Sequence, residues 1–168
     1  MEVAYHIIAY FNKYYKRTLA FDPRTPVIYQ ARFEKCDWTD FYRKAKEPIL
    51  KRSPTPIGKI VSIHCFVGAS HADSQSNQRS QTRILIYVKR APIIWFSKRQ
   101  NAMETSTFGS ELVTLRIATE KIQALRQKIR SFGTPIYGPA DVFCDNEEVA
   151  SIAKIPQAKL SKKHNAVS

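Results

Sequence analysis

Cysteine is scarce: Cys36, Cys65 and Cys144 are the only three in 168 residues. The number is odd, the gaps are long and no C-x-x-C occurs, so neither a disulfide framework nor a zinc site is expected, and a reducing compartment fits. His6, His64, His71 and His164 are equally scattered and point to no structural metal. No apolar run approaches the roughly 18 residues that a membrane-spanning helix needs. The start, MEVAYHIIAYFNKYY, is amphipathic and lacks a basic region followed by an apolar core. No signal peptide is read there, and a cytoplasmic location is expected. With 5 Gly and 9 Pro, the chain is neither collagen-like nor of low complexity. Acidic residues are also few. Against 27 Lys+Arg stand 14 Asp+Glu, a net charge of +13 and a sequence pI near 9.8.

What is present is globular: 43% hydrophobic and 24% charged residues. The length fits one ordinary domain, or a small domain with an extra segment. Residues 1–60 carry 12 basic and 6 acidic side chains, and residues 61–168 carry 15 and 8. The positive charge is therefore a property of the body and not of a tail. It points to a polyanionic partner, nucleic acid first and a membrane surface second. A basic protein without such a partner is the alternative.

Residues 3–15 read as a helix, with Val3, Ile7, Tyr10, Phe11 and Tyr14 at helical spacing and Lys13, Lys16 and Arg17 toward its C-terminal end. A helical pattern that opens at residue 2 without a cap reads as a fragment. Residues 46–59 hold Pro48, Pro54, Pro56 and Gly58 among basic residues. They read as a linker, and a boundary is placed after residue 58, giving segments 1–58 and 59–168. Val61 to Val67 alternates and predicts a strand; Ile84 to Val88 and Ile93 to Phe96 predict two more, with a turn at Arg90-Ala91-Pro92. Short connections make these an antiparallel meander. Ser106 or Thr107 caps a long helix with Phe108, Leu112, Leu115, Thr119, Ile122 and Leu125 inward, ended by Gly133 and Pro135. Ala140 to Cys144 is a fourth strand and Glu147 to Lys154 a short helix. The order β-β-β-α-β-α predicts an α/β (α+β) fold: a mixed sheet with flanking helices.

Two carboxylates stand out. Glu111 falls among Phe108, Leu115 and Ala118, inside the apolar stripe of its helix. Burying an ionised carboxylate is expensive unless it is paired or binds a metal. The other reading is a stripe-edge Glu reaching water or an Arg. Asp145 ends an apolar strand and opens a helix, where it is either a ligand-binding carboxylate or the helix cap. Facing one another across a sheet–helix junction, the two suit Mg²⁺, and paired ions suit phosphodiester cleavage.

From Val61 to His164 the chain resembles the ribonuclease H domain of copia-type retrotransposon polyproteins. The resemblance is carried by Phe66-Val67-Gly68-Ala69-Ser70-His71-Ala72, Arg79-Ser80-Gln81-Thr82, Ala91 to Gln100, Ser106 to Glu111, Phe143-Cys144-Asp145-Asn146 and Lys162-Lys163-His164. The first 60 residues resemble the connecting segment that follows the polymerase, on the text from Tyr10 to Phe21. The resemblance implies a ribonuclease H-like fold that binds RNA–DNA hybrid and hydrolyses its RNA strand with two Mg²⁺ ions. It implies no zinc and no organic cofactor, and the remainder of a polyprotein as a partner, without a membrane. Glu111 stands at the family's helix carboxylate and Asp145 at its fourth-strand Asp.

Gly68 stands where the family has its first-strand Asp, and Asp73, five residues on, is a weak substitute. Asp73, Ser74 and Arg83 also depart from the usual residue types. Asn165 and Ala166 stand where a fourth carboxylate can occur, and the fifth strand would lie beyond Ser168. The resemblance therefore implies a metal site reduced to Glu111 and Asp145, with little or no hydrolysis. Arg79, Arg83, Lys98, Arg99, Gln100 and Asn146 are the residues expected against nucleic acid. Positioning by phosphate contacts carries no sequence preference. A basic nucleic-acid-binding module without catalysis, and a non-functional relic, are the alternatives. Trp95 and Phe96 read as core and not as stacking platforms.

Overall fold

A computed structural model describes residues 2–28, 39–42, 47–71, 79–101, 103–104 and 106–155. The elements are α1 (Glu2–Lys13), α2 (Thr39–Tyr42), β1 (Ile63–Ser70), β2 (Gln81–Val88), β3 (Ala91–Arg99), α3 (Thr107–Ser131), β4 (Asp141–Cys144) and α4 (Glu147–Ala153). The protein is a mixed α/β structure whose four strands lie in the order β3-β2-β1-β4, compatible with a ribonuclease H-like α+β fold. β1, β2 and β3 form the antiparallel meander, and β4 returns parallel to β1 after the α3 crossover.

Alternation along β1 and β2 sets the two faces of the sheet. Ile63, Cys65 and Val67 of β1 and Ile84 and Ile86 of β2 are buried against Ala118, Ile122 and Leu125 of α3. Full burial of such a side chain is worth roughly 1.5–3 kcal/mol, so this sheet–helix layer is the core. On the other face, register aligns Trp95, Leu85, Phe66 and Phe143 across the four strands. Phe66 and Phe143 stack at 4.8 Å between ring centroids. Trp95 is 66% exposed, so it belongs to this open face and not to the core, against the sequence expectation.

Two details differ from the sequence expectation. The β2–β3 turn is Lys89-Arg90, with Lys89 at φ 54, and Pro92 lies inside β3 opposite Tyr87. β3 is an edge strand with a register shift at this point, which is where a sheet tolerates a missing N–H donor. The inward face of α3 runs through Phe108, Glu111, Thr114, Ala118, Ile122 and Leu125; Leu112 is only half-buried and Thr119 is exposed. In α1, every residue from Tyr5 to Lys13 is exposed, so its apolar stripe does not join the core.

Residues 47–61 run along the C-terminal end of α3. The Ile57 N–H donates to the Gly133 carbonyl at 2.6 Å, and Val61 bridges Ile136 in parallel. Glu47 receives hydrogen bonds from Arg126 Nη2 at 2.7 Å and Arg130 Nη2 at 2.6 Å. These guanidinium groups hold the Glu47 carboxyl down at about 2. A depressed carboxylate stabilises the fold fully above the ordinary glutamate range, and that contribution fades as pH falls toward the depressed value. Solvent screening reduces it to about 1 kcal/mol. Glu47→Gln is therefore expected to lower Tm by a few degrees at pH 7. Melting curves of the two proteins should converge as pH drops from about 4.5 toward 2, and a gap that persists at pH 2 would contradict the ion-pair origin.

Candidate metal centre

α3 places Glu111 under the sheet. Its N-cap is Ser106, whose hydroxyl accepts from the Gly109 N–H at 3.1 Å, and Glu111 lies in the next turn. β1 and β4 pair as far as Val67 and Cys144. One residue further stand Gly68 on β1 and Asp145 after β4. Past the end of β4, the N–H of Ala69 has no strand partner on that side among the described residues and donates to Glu111 Oε1 at 2.7 Å. The helix carboxylate is thereby drawn to the strand end.

Asp145 is not the helix cap. Asn146 caps α4, its Oδ1 accepting from the Val149 N–H at 3.1 Å. The Asp145 side chain remains exposed beside Glu111. One ligand atom each from Glu111, Cys144 and Asp145 lie within 4.8 Å of one another. The two carboxylates singled out from the sequence are therefore brought together. Nothing in the cysteine spacing marks Cys144; its only signal is adjacency to Asp145 at a strand end.

Burial dominates the electrostatics of this cluster. Glu111 is 3% exposed. Its Oε1 is held by Ala69, while Oε2 is buried with no hydrogen-bond partner among the described residues. Burial pushes the Glu111 carboxyl up, the Ala69 hydrogen bond opposes this, and the charge of Asp145 adds to the rise. Burial likewise raises the Cys144 thiol; a backbone hydrogen bond from Asn146 opposes, and Glu111 and Asp145 add. The Glu111 carboxyl and the Cys144 thiol thus both hold their protons more tightly than usual, chiefly because they are buried.

A pair of Mg²⁺ ions does not fit this donor set. Mg²⁺ requires oxygen ligands in near-octahedral array, and the three side chains supply two carboxylates and a thiol. Gly68, where the resemblance leads one to expect a third carboxylate, supplies no side chain. A Cβ added there meets nothing within 4 Å, so the position is open space.

Around the site, Arg83 pairs across from Gly68, and Lys98 and Arg99 pair with Thr82 and Gln81 at the same end of the sheet. Arg79, Arg83, Lys98 and Arg99 are all exposed. Gln100 is not part of that surface, against the sequence expectation. It is 4% exposed, and its Nε2 donates to the Ser110 carbonyl at 2.9 Å and to Thr82 Oγ1 at 3.1 Å. Its amide nitrogen tethers the end of β3 to β2 and α3, while its buried Oε1 has no hydrogen-bond partner among the described residues. Asn146 is likewise committed to its cap. Asp73, Ser74, Lys162, Lys163, His164, Asn165 and Ala166 lie outside the described residues.

No helix among the described residues is long and apolar enough to cross a membrane. No family model matches the chain, and no solved structure matches it. Two curated proteins do. The Retrovirus-related Pol polyprotein from transposon RE1 of Arabidopsis thaliana is 23% identical over 110 residues, 66% of this chain. The Retrovirus-related Pol polyprotein from transposon RE2 of the same plant matches to the same extent. The aligned region spans 8% of the length of each of these relatives.

Proposed function

From its relationship to retrotransposon Pol polyproteins, we propose that this chain carries a ribonuclease H-like domain that binds RNA–DNA hybrid and hydrolyses its RNA strand weakly or not at all. The observation that carries the reading is the convergence of Glu111 and Asp145 at the end of β1, beside Gly68, which has no side chain. Hydrolysis of a phosphodiester by two metal ions needs carboxylates that bridge and fix both ions. Glu111 and Asp145 offer at most a loose hold on one Mg²⁺. Binding makes no such demand. Exposed Arg79, Arg83, Lys98 and Arg99 ring the same end of the sheet and suit phosphate contacts. Within this reading, residues 1–58 are the connecting segment and residues 59–168 the nuclease-like domain.

Labelled RNA–DNA hybrid, mixed with the full chain in the absence of divalent metal, is the first test. Affinity should fall with salt along a log–log slope of about −3, as expected for some three or four neutralised phosphates. Lys98→Ala combined with Arg99→Ala should weaken binding several-fold and shallow that slope by about 2 while the circular dichroism spectrum stays unchanged. Salt-insensitive binding, or none, would refute the reading. A basic module that binds nucleic acid without cleaving it is the competing view, favoured by Gly68, which supplies no side chain. It predicts that no substitution at position 68 confers cleavage.

A further inference from the structure

We infer that Glu111, Cys144 and Asp145 form a site for a single thiophilic divalent cation, Zn²⁺ in preference to Mg²⁺, with one thiolate and two carboxylates as ligands. This goes beyond the hybrid-binding reading and does not rest on it, because the three donors require no nucleic acid. Two independent observations meet here. The donor atoms already lie within 4.8 Å of one another. Separately, Glu111 is 97% buried by its 3% exposure, yet Oε2 has no partner among the described residues. A buried carboxylate oxygen without a donor is destabilising, and a cation is the group that satisfies it.

Ligand chemistry selects the cation. Thiolate sulfur is a soft donor and a poor ligand for Mg²⁺, whereas zinc takes sulfur at about 2.3 Å and carboxylate oxygen at about 2.0–2.2 Å. Tetrahedral coordination at those lengths sets sulfur and oxygen roughly 3.6 Å apart, and of the three side chains the exposed Asp145 is the freest to adjust toward that spacing. Three protein ligands leave a fourth position open to water. Rigid neighbours hold the other two donors. Cys144 is fixed by its pairing opposite Val67, and Glu111 by the Ala69 N–H. The spacing of cysteines and histidines along the chain concealed the site because two ligands are consecutive and the third comes from a distant helix.

The full chain, reduced and free of nucleic acid, is titrated with Zn²⁺ against a chromophoric chelator and with Cd²⁺ in the ultraviolet, where a cadmium–thiolate bond absorbs. One Zn²⁺ should bind per chain, and a large excess of Mg²⁺ should not displace it. Cys144→Ser should abolish the cadmium–thiolate band and weaken Zn²⁺ by roughly tenfold or more, whereas Cys36→Ser should preserve both. Asp145→Asn alters an exposed side chain and should also weaken Zn²⁺ roughly tenfold without loss of the thermal transition. Equal Zn²⁺ affinity in wild type and Cys144→Ser, a cadmium band that survives that substitution, or displacement by Mg²⁺ would overturn the inference. Hybrid binding measured without metal is unaffected by any of these results, so the two readings fail separately.

Discussion

Gly68→Asp is expected to raise Mg²⁺-dependent cleavage of the RNA strand of RNA–DNA hybrid by about a hundredfold or more over a wild-type background near zero, the scale of effect that a lost charge-stabilising group produces. The backbone already admits the side chain. Position 68 has no positive φ, and a Cβ there meets nothing within 4 Å. It lies one residue past the Val67–Cys144 pair, so the new carboxylate is expected at the strand end that also holds Glu111 and Asp145. Three acids crowded together repel, so without metal the variant should melt below wild type, and Mg²⁺ should restore the difference by binding only the folded state. A double variant that adds Glu111→Gln should return cleavage to background. Equal and robust cleavage by wild type and Gly68→Asp would show that the third carboxylate lies elsewhere.

Glu111→Gln alone, in metal-free buffer, should raise stability by about 2 kcal/mol, or roughly 5 °C in Tm for a chain of this size. The amide keeps the acceptor for Ala69, supplies a donor toward Asp145 and removes a buried like charge. Linkage gives the same sign. A carboxyl whose folded pKa is raised stabilises the native state below the ordinary glutamate value and loses that contribution as pH rises through the raised one. The advantage of the variant should therefore be present at neutral pH and shrink toward pH 4. A Tm unchanged or lowered at neutral pH would mean that Glu111 is already neutralised. Proteins commonly hold such destabilising groups at functional positions, where stability and activity compete.

The sheet was legible because its residues alternate: Ile63, Cys65 and Val67 face α3 where strand periodicity places them. Extra residues at the strand ends, such as Gln81 to Arg83, Ser97 to Arg99 and Gly68 to Ser70, carry no apolar signal and are fixed by ladder hydrogen bonds to neighbours. The face of α3 was misread by a fraction of a turn. Leu112 is more apolar than Thr114, but Thr114 is buried because its hydroxyl meets Thr82, Ser110 and Gln100. A polar cluster drawn together from three separate elements leaves no trace in periodicity. Glu111 and Asp145 were legible as residue types at an element junction. Cys144 was not, because what makes it a ligand is a partner on another element. The cap role also passed to Asn146, one position beyond the alternative weighed from sequence, which leaves the neighbouring acid available.

Cys144 reaches the α3 side only because β4 sits against β1 with Val67 opposite it. Shifting one strand by a single residue would turn every side chain of β4 to the other face. The thiol would then leave Glu111, although the overall secondary structure would hardly change. Cation affinity consequently reports strand registration, which circular dichroism cannot see, and makes a sensitive gauge of misassembled chains during refolding.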